Sequence, residues 1–546
     1  MRILTCNEAG EAASGPEADP QVLMRRAGYA VAQFCISQFK FRSVCVLCGR
    51  GKNGGAGLIA AEALRRVADA VAVIVLAKGL DDLRPELATC LPADVKAFWI
   101  ADETDFASAS VQQALGADLV VDALVGTGFK PPLRGLVAAA VAAVNDAPGS
   151  IVAVDVPTGV DADSRTALQT GGNVVFPHGI IALIAPKPAH VFGHLTAGPI
   201  AVSELGVQPA FVPSAAAVRV ITGREVGMTF APPAERDERP FGQLKQLGHV
   251  LVVAGSAGRE GTAALVGMAA LSAGAGRVTV ACPKSIQPTV AGFHAALATC
   301  AVPETDQGTI AAIAGDGIDG LLAGKDAVVI GPGLSDNPST GAFVRRLAST
   351  CTLPLIIDGD GLDAFEEQFA AIKRGAKTPF LVLMPHTEQA ARLAGFSVND
   401  IRADSVAAAQ RIAGATGACV VLKGWRSVVA GASGEAWINL GGNAALAKAG
   451  VDELLSGLVG AALARHVNRR TGATDPAPTA DRPFARVLLD DLRVAAAVHL
   501  HGLAVDIARD ALHENTLGST DVLEALVEAF RDCDLQLEQN LFYLQK

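Results

Sequence analysis

Two aspartates, Asp122 in VVDALVGTGFKPPLRG (120–135) and Asp155 in VAVDVPTGVDAD (152–163), each end a short β-branched run. A parallel α/β sheet gathers its ligand sites at such strand ends, and each aspartate sets a carboxylate there. Upstream, SVCVLC runs into GRGKNGGAGLIAAEALRR (49–66), a glycine loop opening directly into a helix. Glycine lets backbone N–H groups approach a phosphate, and a helix start adds partial positive charge. Tight strand-to-helix turns select glycine for their own geometry, so the loop by itself leaves both readings open. In the second half VVLKGWRS (420–427) puts Lys423 and Gly424 at a strand end, a pairing suited to phosphate. LVLMPH (381–386) ends on His386, and GNAALAKAGVDELLSG (442–457) carries glycines ahead of a helix whose start holds Asp452 and Glu453. A buried structural histidine is the alternative for His386, whose place in the row of strand ends favours function.

Elements of two kinds must position these groups. Residues 21–40 have helical spacing, and Arg42–Leu47, Val71–Leu76, Asp118–Leu124 and Ile151–Val156 are β-branched runs. Such alternation predicts parallel strands joined by crossover helices. The pattern stops at MTFAPPAERDERPFGQ (228–243), where prolines and charges cannot bury a face. It restarts with His249–Val253, Ala327–Ile330, Leu355–Ile357, Phe380–Leu383 and Cys419–Leu422, which predict a second parallel sheet. NRRTGATDPAPTADRP (468–483) reads as a surface loop, and the tail from 485 as helical, with Ser519–Thr520–Asp521 a cap for DVLEALVEAF. The expected domains are therefore 1–228 and 244–546, with 229–243 a linker.

Length agrees with two domains, because 546 residues exceed what one core of about 250–300 residues holds. A net charge of −10 argues against a sequence-independent grip on nucleic acid, which needs clustered Lys and Arg. No segment reaches about 18 uninterrupted apolar residues, and the N-terminus has no useful apolar stretch, so a cytoplasmic protein without membrane contact is expected. Among ten cysteines only Cys45 and Cys48 form a C-x-x-C. Their odd spacing in a strand points them to opposite faces, as buried thiols and not a metal or redox pair.

Four motifs in order, the glycine loop, VDALVGTG, DVPTG and APKPAH (185–190), make residues 20–205 resemble the NAD(P)H-hydrate epimerase family. The second half, with GHVLVVAGSAGREGTAALVGMAALSAGAGRVTVA (248–281), VVIGPGL (328–334), LIIDGDGL (355–362) and the segments above, resembles the ribokinase-like NAD(P)H-hydrate dehydratases over roughly 243–530. The fold implied is an N-terminal Rossmann-like parallel α/β sandwich followed by a C-terminal ribokinase-like α/β domain. The activity implied is repair of hydrated NADH or NADPH, by epimerisation of the hydrate and then nucleotide-dependent loss of water. By carry-over, Asn53, Asp122 and Thr158 would hold potassium, an oxygen-rich set suited to a hard cation. Lys52, Asn53, Gly54, Gly55, Ala56, Gly126, Thr127, Gly128 and Asp155 would contact the hydrated nucleotide, with Asp155 also catalytic. In the second domain Ala263, Gly333, His386 and Glu453 would meet the substrate. Lys423, Gly424, Trp425, Arg426, Ser427 and Asp452 would face ADP or ATP, with Mg2+ as its companion ion, and Glu453 would serve as the acid–base group.

This chain departs from the family pattern at several of these places. Lys52 and Ala56 replace a loop asparagine and aspartate, Gln389 a glutamate, and Leu244 a histidine beside Lys245. Lys52 either supplies a fixed ammonium or points to solvent. Val451 and Asp452 replace Ser-Gly in an anion hole, and Glu453 an aspartate, so a carboxylate would meet the nucleotide phosphates. Two other readings stand beside repair: a non-catalytic nucleotide-binding homologue and a ribokinase-like phosphotransferase. A homo-oligomer is expected.

Overall fold

A computed structural model describes residues 1–14, 19–166, 173–207, 217–230, 247–366, 371–372, 377–467, 483–535 and 542–545. The linker beyond Phe230, the insert 468–482 and Leu244 and Lys245 lie outside them. The chain divides into two compact units, one of residues 2–213 and 539–546, the other of 214–538 with Met1.

The first unit is built on β1 (Ser43–Cys48), β2 (Ala70–Val75), β3 (Lys96–Trp99), β4 (Leu119–Ala123), β5 (Ser150–Val154), β6 (Gly179–Leu183) and β7 (Ile200–Ser203). All pair in parallel, in the order β7-β6-β5-β4-β1-β2-β3. The order reverses between β1 and β4, and at such a switch point the loops leaving the two strands diverge and open a crevice at their carboxyl ends. Those loops are the Gly49–Gly57 turn and the VGTG turn. Helices cover both faces: Cys48 lies in the cluster with Phe34 of the helix Pro20–Gln38, and Cys45 in the opposite one with Val141. The two thiols do face apart, and burial pushes the Cys45 pKa up to about 12.

The second unit holds β8 (Val218–Val220), β9 (His249–Val253), β10 (Arg277–Pro283), β11 (Ala298–Val302), β12 (Ala327–Ile330), β13 (Leu355–Asp358), β14 (Leu381–Met384), β15 (Cys419–Leu422), β16 (Val428–Ala430) and β17 (Ala436–Ile438). Their order is β11-β10-β9-β12-β13-β14-β15-β16-β17-β8, parallel from β11 to β15 and antiparallel through β16 and β17. The switch point falls between β9 and β12, where the Gly255 N–H donates to Pro332 O at 3.0 Å. The helices Glu260–Ser272, Val451–Val467, Pro483–Leu512 and Ser519–Leu535 share one apolar core against this sheet.

The α/β class holds for both halves, and the boundary moves. β8 and the helix Gly223–Phe230, all but the last two residues of which are expected in the first domain, belong to the second unit. β8 extends that sheet beside β17, and Val226 and Phe230 are buried in its core. Proline and charge mark where a chain buries no face, but not which sheet the preceding three-residue run joins.

Candidate active sites

At the first switch point Asp122 is fully buried at the end of β4. Its Oδ1 accepts from the Thr158 hydroxyl at 2.7 Å and its Oδ2 from the Thr158 N–H at 2.9 Å. Burial raises its pKa to about 6, against these hydrogen bonds, and no basic side chain pairs with it among the described residues. The Asn53 amide donates to Val154 O at 3.3 Å, and its Oδ1 lies by Gly126. Asp122 and Thr158 are thus joined directly, while Asn53 turns to Val154 and to Gly126 in the loop after β4.

Beyond β5 the backbone of Asp155 is left-handed, with φ 66°. Its Oδ1 accepts from Lys187 Nζ at 2.5 Å and its carbonyl contacts His190 Nε2 at 2.6 Å. The sequence brought out APKPAH but not this convergence, because contacts across 32 and 35 residues leave no periodic trace.

The glycine loop is largely a packing device. A Cβ on Gly54 would lie 1.9 Å from Gly49 O, and one on Gly57 2.6 Å from Ala123 Cβ, so the helix Lys52–Leu64 is pressed onto its loop and onto β4. Ala56, expected beside the substrate, is buried against Ala27 and Ala30 of the preceding helix. Its methyl supports the loop from behind, which corrects that expectation. Lys52 is exposed and makes no polar contact among the described residues. Gly126, Thr127 and Gly128 are partly open at the crevice mouth.

At the second switch point Gly331, with φ 128°, passes so close to β13 that a Cβ would lie 1.8 Å from Asp358 O. Gly333 O accepts from the Ser256 hydroxyl at 2.8 Å, and Arg259 pairs with Asp360 at 2.5 Å. Ala263, expected at the substrate, is fully buried, and a Cβ on Gly255 would come within 2.9 Å of its methyl; it backs the turn and is a second correction. His386 is half-exposed and accepts from Gln389 N–H at the start of the helix Thr387–Ala394, so it is no buried structural histidine. Gln389 donates from Nε2 to Gly359 O and Asp363, and its Oε1 is buried without a partner.

Lys423 does not reach outward as expected. Its ammonium lies 2.7 Å from Asp358 Oδ1 and 2.6 Å from Asp452 Oδ2, and the Ser456 hydroxyl donates to the other Asp358 oxygen. Burial disfavours the charge, but the two carboxylates outweigh it and hold the ammonium protonated well beyond its ordinary range. The expected repulsion between Asp452 and an incoming phosphate is therefore met by an internal ion pair. Beside it Glu453 is mostly buried, and burial, then the Asp452 charge, raises its pKa. Trp425 is 49% exposed, with the Arg426 guanidinium 4.3 Å from its ring, while Ser427 closes the turn onto Gly424. The Lys423 ammonium, the group suited to a phosphate, is instead engaged by Asp452.

The family descriptions "YjeF-related protein N-terminus" and "NAD(P)H-hydrate dehydratase" match residues 20–189 and 250–520. A bifunctional NAD(P)H-hydrate repair enzyme of Moorella thermoacetica is 31% identical, over 98% of this chain and 98% of its own. The chain belongs to the bifunctional NAD(P)H-hydrate repair enzymes. The repair enzymes of Thermofilum pendens and Escherichia coli are 32% and 30% identical over 95% and 82% of this chain and 94% and 81% of theirs. Among solved structures, an ADP/ATP-dependent NAD(P)H-hydrate dehydratase from Bacillus subtilis covers 57% of this chain and 99% of its own, at 23% identity and a TM-score of 0.45.

Proposed function

We propose that this chain repairs hydrated NADH and NADPH, the first unit interconverting the two epimers and the second removing water with ADP or ATP. The observation carrying the reading is Glu453: an acid of raised pKa, mostly buried in the first turn of its helix and within electrostatic reach of Lys423, Asp358 and Asp452. The nucleotide, with Mg2+, supplies a phosphoryl group to the hydroxyl of the hydrate when bound. Glu453 takes the hydroxyl proton, Trp425 carries the adenine, and Gly333 and His386 orient the hydrate. Phosphate departs with the C–O electron pair, and loss of a proton from the neighbouring ring carbon restores the double bond. In the first unit Asp155 exchanges a proton with the hydrate, and Asn53, Asp122 and Thr158 hold potassium. The setting we propose is cytoplasmic.

Incubating the protein with hydrated NADPH, Mg2+ and either ADP or ATP should restore reduced-nicotinamide absorbance. No recovery with either nucleotide overturns the dehydratase half. Unchanged proportions of the two hydrate epimers, followed by chromatography on a sample enriched in one, overturn the epimerase half. The Asp452–Lys423 pair, at 2.6 Å, favours one second reading, a nucleotide-binding unit without turnover. It predicts calorimetric binding of ADP or ATP with no recovery.

A further inference from the structure

Asp155 is held in a manner that its own contact with a substrate does not explain. A non-glycine residue with φ 66° is strained, and such strain persists only where the surroundings fix it. Three attachments do so here. The Asp155 N–H donates to Ile181 O at 2.8 Å, continuing the β5–β6 pairing, while the carbonyl contacts His190 Nε2 at 2.6 Å. The carboxylate Oδ1 accepts from Lys187 Nζ at 2.5 Å and from Leu183 N–H at 3.2 Å. Oδ2 accepts from none of the described residues, and the side chain keeps 11% exposure.

The clasp is tied to itself as well. Lys187 Nζ donates a second bond to Leu183 O at 2.7 Å, and the Lys187 backbone N–H donates to His190 Nδ1 at 2.9 Å. With Nδ1 accepting, the ring proton sits on Nε2, and the imidazole is a neutral donor to the Asp155 carbonyl. Burial, then the Lys187 charge, lowers the His190 pKa to about 4, so it keeps that form at neutral pH. Lys187 is only 2% exposed on its side chain and cannot touch a substrate. Besides Asp155 and His190, the Cys6 thiol lies within electrostatic reach of the ammonium, and Asp163 and Lys130 in turn face that thiol. Burial, then Asp163, pushes Cys6 up to about 12, and Lys130 is paired with Asp161 and Asp163.

We infer that Lys187 and His190 are positioning residues for Asp155: the ammonium pins Oδ1 and the imidazole pins the carbonyl, so that Oδ2 alone is presented to the hydrate. This rests on the epimerase reading of the first unit. Without the ammonium, Oδ1 keeps only the Leu183 N–H, and the carboxylate loses the contact that fixes its direction. Lys187→Met should therefore lower epimerase kcat about 100-fold with KM within about 3-fold, the loss expected from an ångström-scale misplacement. Lys187→Arg, which keeps a cationic donor at the same place, should restore kcat to within about 10-fold of wild type, a rescue that loosened packing alone does not produce. His190→Leu, which removes both imidazole bonds, should cost about 10-fold in kcat with KM within about 3-fold.

If Lys187→Met does not fold, His190→Leu and Lys187→Arg decide the matter through kcat and KM. Folded Lys187→Met and His190→Leu variants with wild-type kcat overturn the inference while leaving the epimerase reading intact. A wild-type protein that does not interconvert the epimers removes the reading, and the inference with it.

Discussion

Asp452 and Glu453 are neighbours in sequence with opposed consequences. Asp452 closes on Lys423, so a phosphate must displace a carboxylate at 2.6 Å before it meets the ammonium. Asp452→Gly removes that competitor and opens a backbone N–H at the helix start. The expected result is ADP or ATP binding tightened about tenfold or more by titration calorimetry, equivalent to about 1.4 kcal/mol; unchanged affinity means that the pair opens at no cost. Glu453 must be ionised to take a proton, so dehydratase kcat/KM should rise with pH as it deprotonates, along a limb above the ordinary glutamate range. Asp452→Asn removes a neighbouring negative charge and releases Lys423 to face Glu453. Both changes favour the ionised glutamate, and the limb should move to lower pH; a limb that stays or rises assigns it to another group. The sequence made both residue types and their place in the motif legible. It could not give the partner of Lys423, because Asp358 and Asp452 lie 65 and 29 residues away and a strand-end lysine can turn inward or outward equally well.

Elements were legible where burial on both faces writes a continuous apolar run. His249–Val253, Ala327–Ile330 and Cys419–Leu422 fall on β9, β12 and β15. β3 (KAFW), mostly half-buried at the sheet edge, and β8 (VRV) have no such run, while β16 (VVA) and β17 (AWI) are buried and apolar but only three residues long. The glycine loop gives the same lesson in reverse, since a phosphate cradle and a tight packing turn write the same glycines. The geometry separates them. Gly54→Ala would drive a methyl into Gly49 O at 1.9 Å, whereas Gly51→Ala meets nothing within 4 Å. Gly54→Ala should lose about 3 kcal/mol or more in denaturant unfolding of the first unit, as overpacking against backbone does. Gly51→Ala, at a helix N-cap, should cost about 1 kcal/mol or less. Equal losses would mean that the loop relaxes and that its glycines are kept for a ligand.

At the scale of the whole molecule the two ends of the chain do not stay with their nearest halves. Phe542–Gln545 forms β18, antiparallel to β7, and makes the first sheet eight-stranded. Tyr543 packs into the cluster around Phe34 and takes a hydrogen bond from Gln38 at 3.0 Å, while Leu544 packs beside Ala153 and Val156. Nothing in the local sequence announces this, since a four-residue strand ending a helical tail has neither turn signals nor a partner within reach. β18 covers the edge of β7, which otherwise presents unpaired N–H and C=O groups. Ending the chain after Leu535 should cost the first unit about 2 kcal/mol, from two partly buried side chains and the edge hydrogen bonds. Hydrogen exchange in β7 and in the helix Pro20–Gln38 should then accelerate about 30-fold where it proceeds through unfolding of that sheet. β9 and β12 should be unaffected, and epimerase activity should fall with dehydratase activity retained. Equal acceleration in both sheets would instead make the tail a support of the whole chain, and no acceleration in β7 would reduce β18 to a strand the sheet does not need.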